Sequence, residues 1–221
     1  MGFLYKFRPS EPLGHLVDIL LEMRLYCAPY NELNDPFEGQ FIEELTNISH
    51  PMALTYMLTK GMPLSYSQVD RTMNIKKSVQ DLSASKTDLP RICSLTSSHS
   101  DVRMWSLYAS GHNGVAFELN FDGCDIKTHE VIYEPTLKKW STGLLTVPSH
   151  EEVLTRKTEH WRYEQEYRIF TKEEYVSVAN RIRRVILGAR ATPMLETLVR
   201  RLVGHNIEVV KASLDFDGVR V

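Results

Sequence analysis

The chain of 221 residues has little of what several function classes require. No apolar run approaches the ~20 residues needed to cross a bilayer. The opening MGFLYKFRPS has neither the apolar stretch nor the cleavage pattern of a signal peptide. There are three cysteines, Cys27, Cys93 and Cys124, an odd count with no zinc-knuckle spacing. The expectation is a cytoplasmic protein with reduced thiols and no membrane partner. A net charge of -2 gives no global drive toward nucleic acid. There is no Walker-type phosphate loop and no G-x-G-x-x-G after a strand. The eight histidines are scattered, and none sits in H-x-x-x-H spacing with a Glu between. Ser97-Ser98-His99 lacks a G-x-S-x-G elbow. These absences argue against a metal site and a serine hydrolase, and aromatics do not interleave with Lys and Arg as a base-stacking platform would.

What is present describes a globular core, with 43% hydrophobic and 24% charged residues. FLYKFR (3–8) reads as a strand, Pro9–Pro12 opens a helix, and LYCA (25–28) is a second strand. A turn-rich loop, 29–39, carries Asn34-Asp35-Pro36-Phe37-Glu38. Residues 41–87 are Met-rich and polar, with helical patterns over 51–60 and 67–82, and read as a helical insertion. Strands are expected at 91–96, 114–121, 128–134, 164–170, 184–188 and 207–212. Helices are expected after an Ser100 or Asp101 cap, over 149–160 and over 193–202. The fold class is α+β, with a split mixed or antiparallel sheet, in a single domain 1–221. The richest basic stretch, Arg181, Arg183 and Arg184 with Arg190, Arg200 and Arg201 beyond, fits a solvated edge or a phosphate-rich partner such as RNA.

Three stretches combine into a chemistry: YKFR (5–8), SLTS (94–97) and WRYEQEYRIF (161–170). Read as a strand, the last puts Glu164, Glu166 and Arg168 on one face. A cation, Lys6 or Arg8, can hold a diphosphate, and the hydroxyls of Ser94 and Thr96 can hold a sugar or amide. A carboxylate beside a ribose stabilises the oxocarbenium-like state of glycosyl transfer. The second carboxylate can act as general base on the incoming nucleophile.

The signatures YKFR, NDPFEG, MWSLYASGHNGVAFEL and WRYEQEYRI resemble an uncharacterised bacterial and phage family, domain of unknown function 2971, across most of 3–40 and 91–190. More distantly, the order basic strand, helix, Ser/Thr strand and E-x-E strand is similar to the Arg–Ser–Glu class of the ADP-ribosyltransferase superfamily. That resemblance implies an NAD-contacting Arg8, with Lys6 competing for the role. It also implies a serine at Ser94 with Thr96 beside it, a central Glu166 and an acceptor-side Glu164. The departures are a Ser-Leu-Thr-Ser element in place of Ser-Thr-Ser and no aromatic-turn signature before E-x-E.

Each residue also has a plainer reading. Glu164, Glu166 and Arg168 fit an exposed strand face tied by ion pairs, Arg8 a solvent-facing strand end, and Ser94 and Thr96 satisfied backbone groups. Tyr5 flanks a nicotinamide or packs in the core. Trp105 and Tyr108, at i and i+3, form a ligand platform or belong to the core. Asn34, Asp35 and Glu38 line a cleft mouth or hold a structural turn with Phe37 in the core. The first functional expectation is an ADP-ribosyltransferase-like enzyme. It would use NAD to modify an unidentified protein or nucleic-acid target, as a toxin or phage-defence effector, or hydrolyse NAD, with no metal. The alternative is a non-catalytic nucleotide- or nucleic-acid-binding module of the same fold, marked by Arg8 or Glu166 turned away from Ser94. A further alternative is a metal-dependent nuclease using Glu164, Glu166 and Asp35.

Overall fold

A computed structural model describes residues 2–44, 49–65, 68–69, 77–82, 89–141, 148–216 and 218–221. In chain order the first elements are β1 (Leu4–Arg8), α1 (Gly14–Leu21), β2 (Arg24–Tyr26), β3 (Gln40–Glu44), α2 (His50–Thr59) and β4 (Lys77–Asp81). Next come β5 (Arg91–Thr96), α3 (Val102–Tyr108), β6 (Val115–Leu119), β7 (His129–Glu130), β8 (Ile132–Glu134) and β9 (Lys139–Ser141). After α4 (His150–Leu154) and β10 (Arg156–Thr158) a 3-10 turn, Glu159–Glu164, leads into β11 (Glu166–Thr171). The chain ends with β12 (Tyr175–Ser177), β13 (Ile182–Leu187), α5 (Pro193–Leu202), β14 (Glu208–Lys211), β15 (Ser213–Asp215) and β16 (Gly218–Arg220). The fold is mixed α+β, with several sheets and few helices.

The chain divides into two compact units. The first holds residues 1–33, 90–131 and 160–221 and is built on a seven-stranded sheet of order β14-β13-β6-β1-β5-β11-β7. Only β13 and β14 run parallel within it. Its strands are apolar on both faces, as burial beneath helices on both sides demands. On one face Leu16, Ile19 and Leu20 of α1 and Leu195 and Val199 of α5 pack on Leu4, Cys93, Leu95, Phe117 and Ile169. On the other, Met104, Trp105 and Ala109 pack on Tyr5, Phe7, Ala116 and Ile186. The α5 helix is fixed by Thr192, whose hydroxyl accepts from Leu195 N at 3.2 Å, with Pro193 in the first turn.

The sheet opens between β1 and β5. The two strands share the single pair Tyr5↔Thr96, whereas β1 pairs with β6 along its whole length. Further along β5 its free edge is taken by Ala28, which exchanges backbone bonds of 2.9 and 2.8 Å with Ile92. This opening is the split that positions the site described below.

The second unit holds residues 34–89 and 132–159. Its three-stranded sheet has the order β4-β3-β9, and β8 pairs in parallel with β10. A small core gathers Ala53, Met57 and Val69. Tyr56 of α2 donates to buried Glu43 of β3 at 2.8 Å.

Several expected boundaries are corrected. The helix expected at 51–60 is α2, but the insertion is not helical throughout. Its ends, 40–44 and 77–81, are strands that pair with each other, because alternating β3 side chains find partners across the ladder. Residues 67 and 70–76 of the expected second helix lie outside the described residues. The expected strand 128–134 breaks at Val131 into β7 and β8, which belong to different sheets. The helix expected over 149–160 stops at Leu154: its start carries a Ser149/Glu152 capping box, but Arg156–Thr158 finds β8 as a partner.

Candidate functional site

WRYEQEYRIF does not form one strand. Glu159–Glu164 coils as a 3-10 turn, and Gln165 takes a left-handed conformation with φ 42, so the ladder begins at Glu166. The expected same-face pairing of Glu164 and Glu166 by strand alternation is therefore corrected: a left-handed residue separates them. Neither carboxylate is exposed, at 5% and 3% of full accessibility. Glu166 and Arg168 do alternate onto one face. They form a two-pronged ion pair, Arg168 Nε to Glu166 Oε1 at 2.8 Å and Nη2 to Oε2 at 3.0 Å. Arg168 is only 1% exposed, so the reading of an exposed, ion-paired strand face is also overturned. Tyr108 of α3 donates its hydroxyl to Glu164 Oε1.

The register decides which partners meet. Tyr5 and Glu166 both lie opposite Thr96, and Ser94 lies opposite Arg168, so these five side chains share the face that carries α3. Lys6 and Arg8 alternate with Tyr5 and lie on the other face, beneath α1. Arg8 is thus turned away from Ser94 and Glu166, and the expected three-residue convergence is absent from this sheet. The cause is parity: YKFR offers its basic residues at even positions, and a single pairing of Tyr5 with Thr96 fixes which side they take.

The remaining side chains fall as follows. Tyr5 is buried and donates to Glu118 Oε2 at 3.1 Å, which also receives Arg184 at 2.7 Å. Burial, then Glu118, pushes the Tyr5 phenol up to about 12. Thr96 is buried and its hydroxyl accepts from Ser98 N at 3.0 Å, while Ser94 is half-buried. Trp105 is fully buried, donates to His99 O at 2.7 Å and packs edge-on to Phe7, so it belongs to the core rather than to a ligand platform. Tyr108 is half-buried. In the second unit Asp35 and Glu38 are buried, and Asn34 is exposed. The turn is held by Asp35, whose carboxylate accepts from Phe37 N at 2.9 Å. Phe37 is half exposed and does not plug a core.

The α1 face of the split holds the arrangement that the residue types alone did not announce. Lys6 Nζ reaches across the gap to the Ser94 carbonyl at 2.6 Å. Arg8 Nε is buried and meets no acceptor among the described residues. Neither cation has a carboxylate partner among the described residues. Asp18 of α1 acts on Arg8 but is occupied by Arg24 at 2.7 and 3.1 Å, and Glu166 acts on Lys6 but is paired with Arg168. Burial pushes both the Lys6 ammonium and the Arg8 guanidinium below their ordinary values. His15 on α1 stacks on Tyr26 at 4.7 Å between ring centres and is held neutral by burial and by Arg8. Arg91 donates to Cys27 O at 2.8 Å. The basic parity of YKFR was visible in the sequence; its lack of acidic partners was not.

A shallow groove of about 410 Å³ lies on the opposite side, lined by Ser98, Ser100, Asp101, Arg103 and Gln165. Among the described residues no three His, Cys, Asp or Glu side chains gather as a metal-ligating group, and no helix is long and apolar enough to cross a membrane. The chain matches no protein-family model, no curated protein and no solved structure.

Proposed function

We propose that the chain is a binding module for a phosphate-bearing nucleotide of the NAD class, received at the split between β1 and β5 by Lys6 and Arg8. One observation carries this: two half-buried cations stand together with no carboxylate partner among the described residues. Buried charges are normally paired, because an isolated ion loses its hydration without compensation. A diphosphate supplies both the charge and the acceptor that Arg8 Nε lacks. The likeness of the four motifs to domain of unknown function 2971 belongs to the same proposal and names no activity by itself.

The test is calorimetric titration with NAD, ADP-ribose and inorganic pyrophosphate. Each of Arg8→Gln and Lys6→Met removes a charge-assisted bond, and each is expected to weaken binding by about 10–100-fold. Because burial lowers the Lys6 pKa, affinity should fall on raising the pH sooner than an ordinary lysine would allow. Absence of binding by the wild type at millimolar ligand overturns the reading.

The second reading is ADP-ribosyl transfer or NAD hydrolysis. It is favoured by strand order: β1, β5 and β11 are neighbours, as the resemblance to the Arg–Ser–Glu class implies. Against it stand the burial of Glu166, its pairing with Arg168, and the separation of Arg8 from Ser94 by the thickness of the sheet. Nicotinamide release from NAD by wild type, lost in Glu166→Gln, is the result that would restore it.

A further inference from the structure

We propose that Cys27 and Cys93 are a redox-active dithiol that closes into a cross-strand disulfide beneath Lys6 and Arg8. The geometry comes from the backbone. Ala28 and Ile92 exchange both of their backbone bonds, which makes them a hydrogen-bonded antiparallel pair. The next pair along is Cys27 opposite Cys93, and Cys27 N is indeed turned outward, donating to Glu174 O at 2.8 Å. Non-hydrogen-bonded antiparallel pairs bring their Cα atoms to about 4.5 Å, with side chains on one face. That spacing lies within the range a disulfide spans. Both thiols are buried in the same apolar cluster on the α1 side.

The two sulfurs are chemically unlike. A bond from Cys27 draws the Cys93 thiol down against its burial, with the Lys6 and Arg8 charges adding to the effect. The same bond, together with burial, pushes Cys27 up. Cys93 lies on β5 on the same face as the Lys6 and Arg8 charges, which makes it the attacking thiolate and Cys27 the proton-bearing partner. With a hydroperoxide as oxidant, Cys93 sulfur attacks the terminal oxygen. An S–O bond forms, the O–O bond breaks, and the departing oxide takes a proton from solvent. Cys93 is left as a sulfenic acid without its charge. Cys27 then attacks the Cys93 sulfur and its proton goes to the departing hydroxyl, so the S–S bond forms and water leaves. Two electrons pass from the thiols to the peroxide. Both thiols are fully buried, so the oxidant reaches them when the split, held by one residue pair between β1 and β5, opens.

Oxidation also removes the Cys93 charge that acts on Lys6 and Arg8, whose nearby carboxylates, Glu166 and Asp18, are already held by Arg168 and Arg24. On the anion-binding reading above, the disulfide form should therefore bind pyrophosphate more tightly, on the order of tenfold. That consequence rests on that reading; the bond itself does not.

The experiment treats the reduced full chain with hydrogen peroxide, quenches with an alkylating reagent, and maps peptides by mass. A Cys124→Ser background removes the third thiol. The expected product is one linked Cys27–Cys93 peptide, with the intact mass lower by about 2 Da and reversed by dithiothreitol. Cys27→Ser should instead stop at the sulfenic acid on Cys93, trapped by dimedone. The proposal is overturned if peroxide leaves both thiols free under conditions that oxidise a control dithiol, or if Cys93 over-oxidises in the wild type without a link. Pyrophosphate titration of both forms is read separately. A disulfide that forms without changing affinity removes only the coupling to the anion site. A chain that binds no pyrophosphate in either form strikes the binding reading while leaving the dithiol standing.

Discussion

Neutralising Glu166 with Glu166→Gln leaves the Arg168 guanidinium, 1% exposed, facing an uncharged amide. The charges sit about 3 Å apart, so their attraction at an effective dielectric of about 20 is on the order of 5 kcal/mol. Glutamine keeps one oxygen that can still accept from Arg168, which returns about 1–2 kcal/mol. The net cost is about 3–4 kcal/mol, inside the range for breaking a buried pair and a large part of a typical domain's stability. Urea denaturation followed by far-ultraviolet circular dichroism should show a lower midpoint with an unchanged slope. Replacing both partners, Glu166→Leu with Arg168→Met, should recover most of the loss, because no lone charge then remains. A Glu166→Gln protein as stable as the wild type, or more stable, refutes this reasoning. It would mean that the carboxylate is held at a cost for a function, and the transferase reading would gain ground.

Three further perturbations test the framework around the site. A Cβ at Gly114 would fall 2.2 Å from Arg8 O and 2.9 Å from Ala109 Cα, both backbone atoms, so Gly114→Ala should cost at least about 2–3 kcal/mol in thermal or urea unfolding. The fold favours the neutral Tyr5 phenol, with a folded pKa of about 12 against an ordinary value near ~10. Its contribution is complete below pH ~10 and is lost as the pH rises toward 12, by at most about 2–3 kcal/mol. Tyr5→Phe should lack that alkaline decline when urea midpoints are compared across this window. Thr192→Ala removes the cap of α5 and should lower stability by about 1 kcal/mol; no change would mean that water replaces the hydroxyl.

Part of this was legible in the residues. Alternation along YKFR, RICSLT and VAFEL marked three strands, and these form the centre of the sheet. The Ser100 or Asp101 cap marked α3, where Asp101 accepts from Arg103 N, and the helix expected over 193–202 is α5. The short WRYEQEYRIF stretch misled, because strand propensity in Tyr163, Tyr167 and Phe170 says nothing about a left-handed Gln165 between them. The 77–81 segment misled for a related reason: its partner, β3, lies far away in sequence.

The sequence by itself determined which residues alternate, where helices begin and which chemical groups are available, since these depend on neighbours along the chain. It placed Lys6 with Arg8 and Ser94 with Thr96. Only the tertiary structure decided that the first pair and the second lie on opposite faces, because strand register is set by a contact between residues 5 and 96. The same long-range pairing buried Glu166 against Arg168, left Arg8 Nε without an acceptor among the described residues beside Lys6, and brought Cys27 across from Cys93. Burial and partner choice are properties of surfaces that meet, and those surfaces are far apart in the chain.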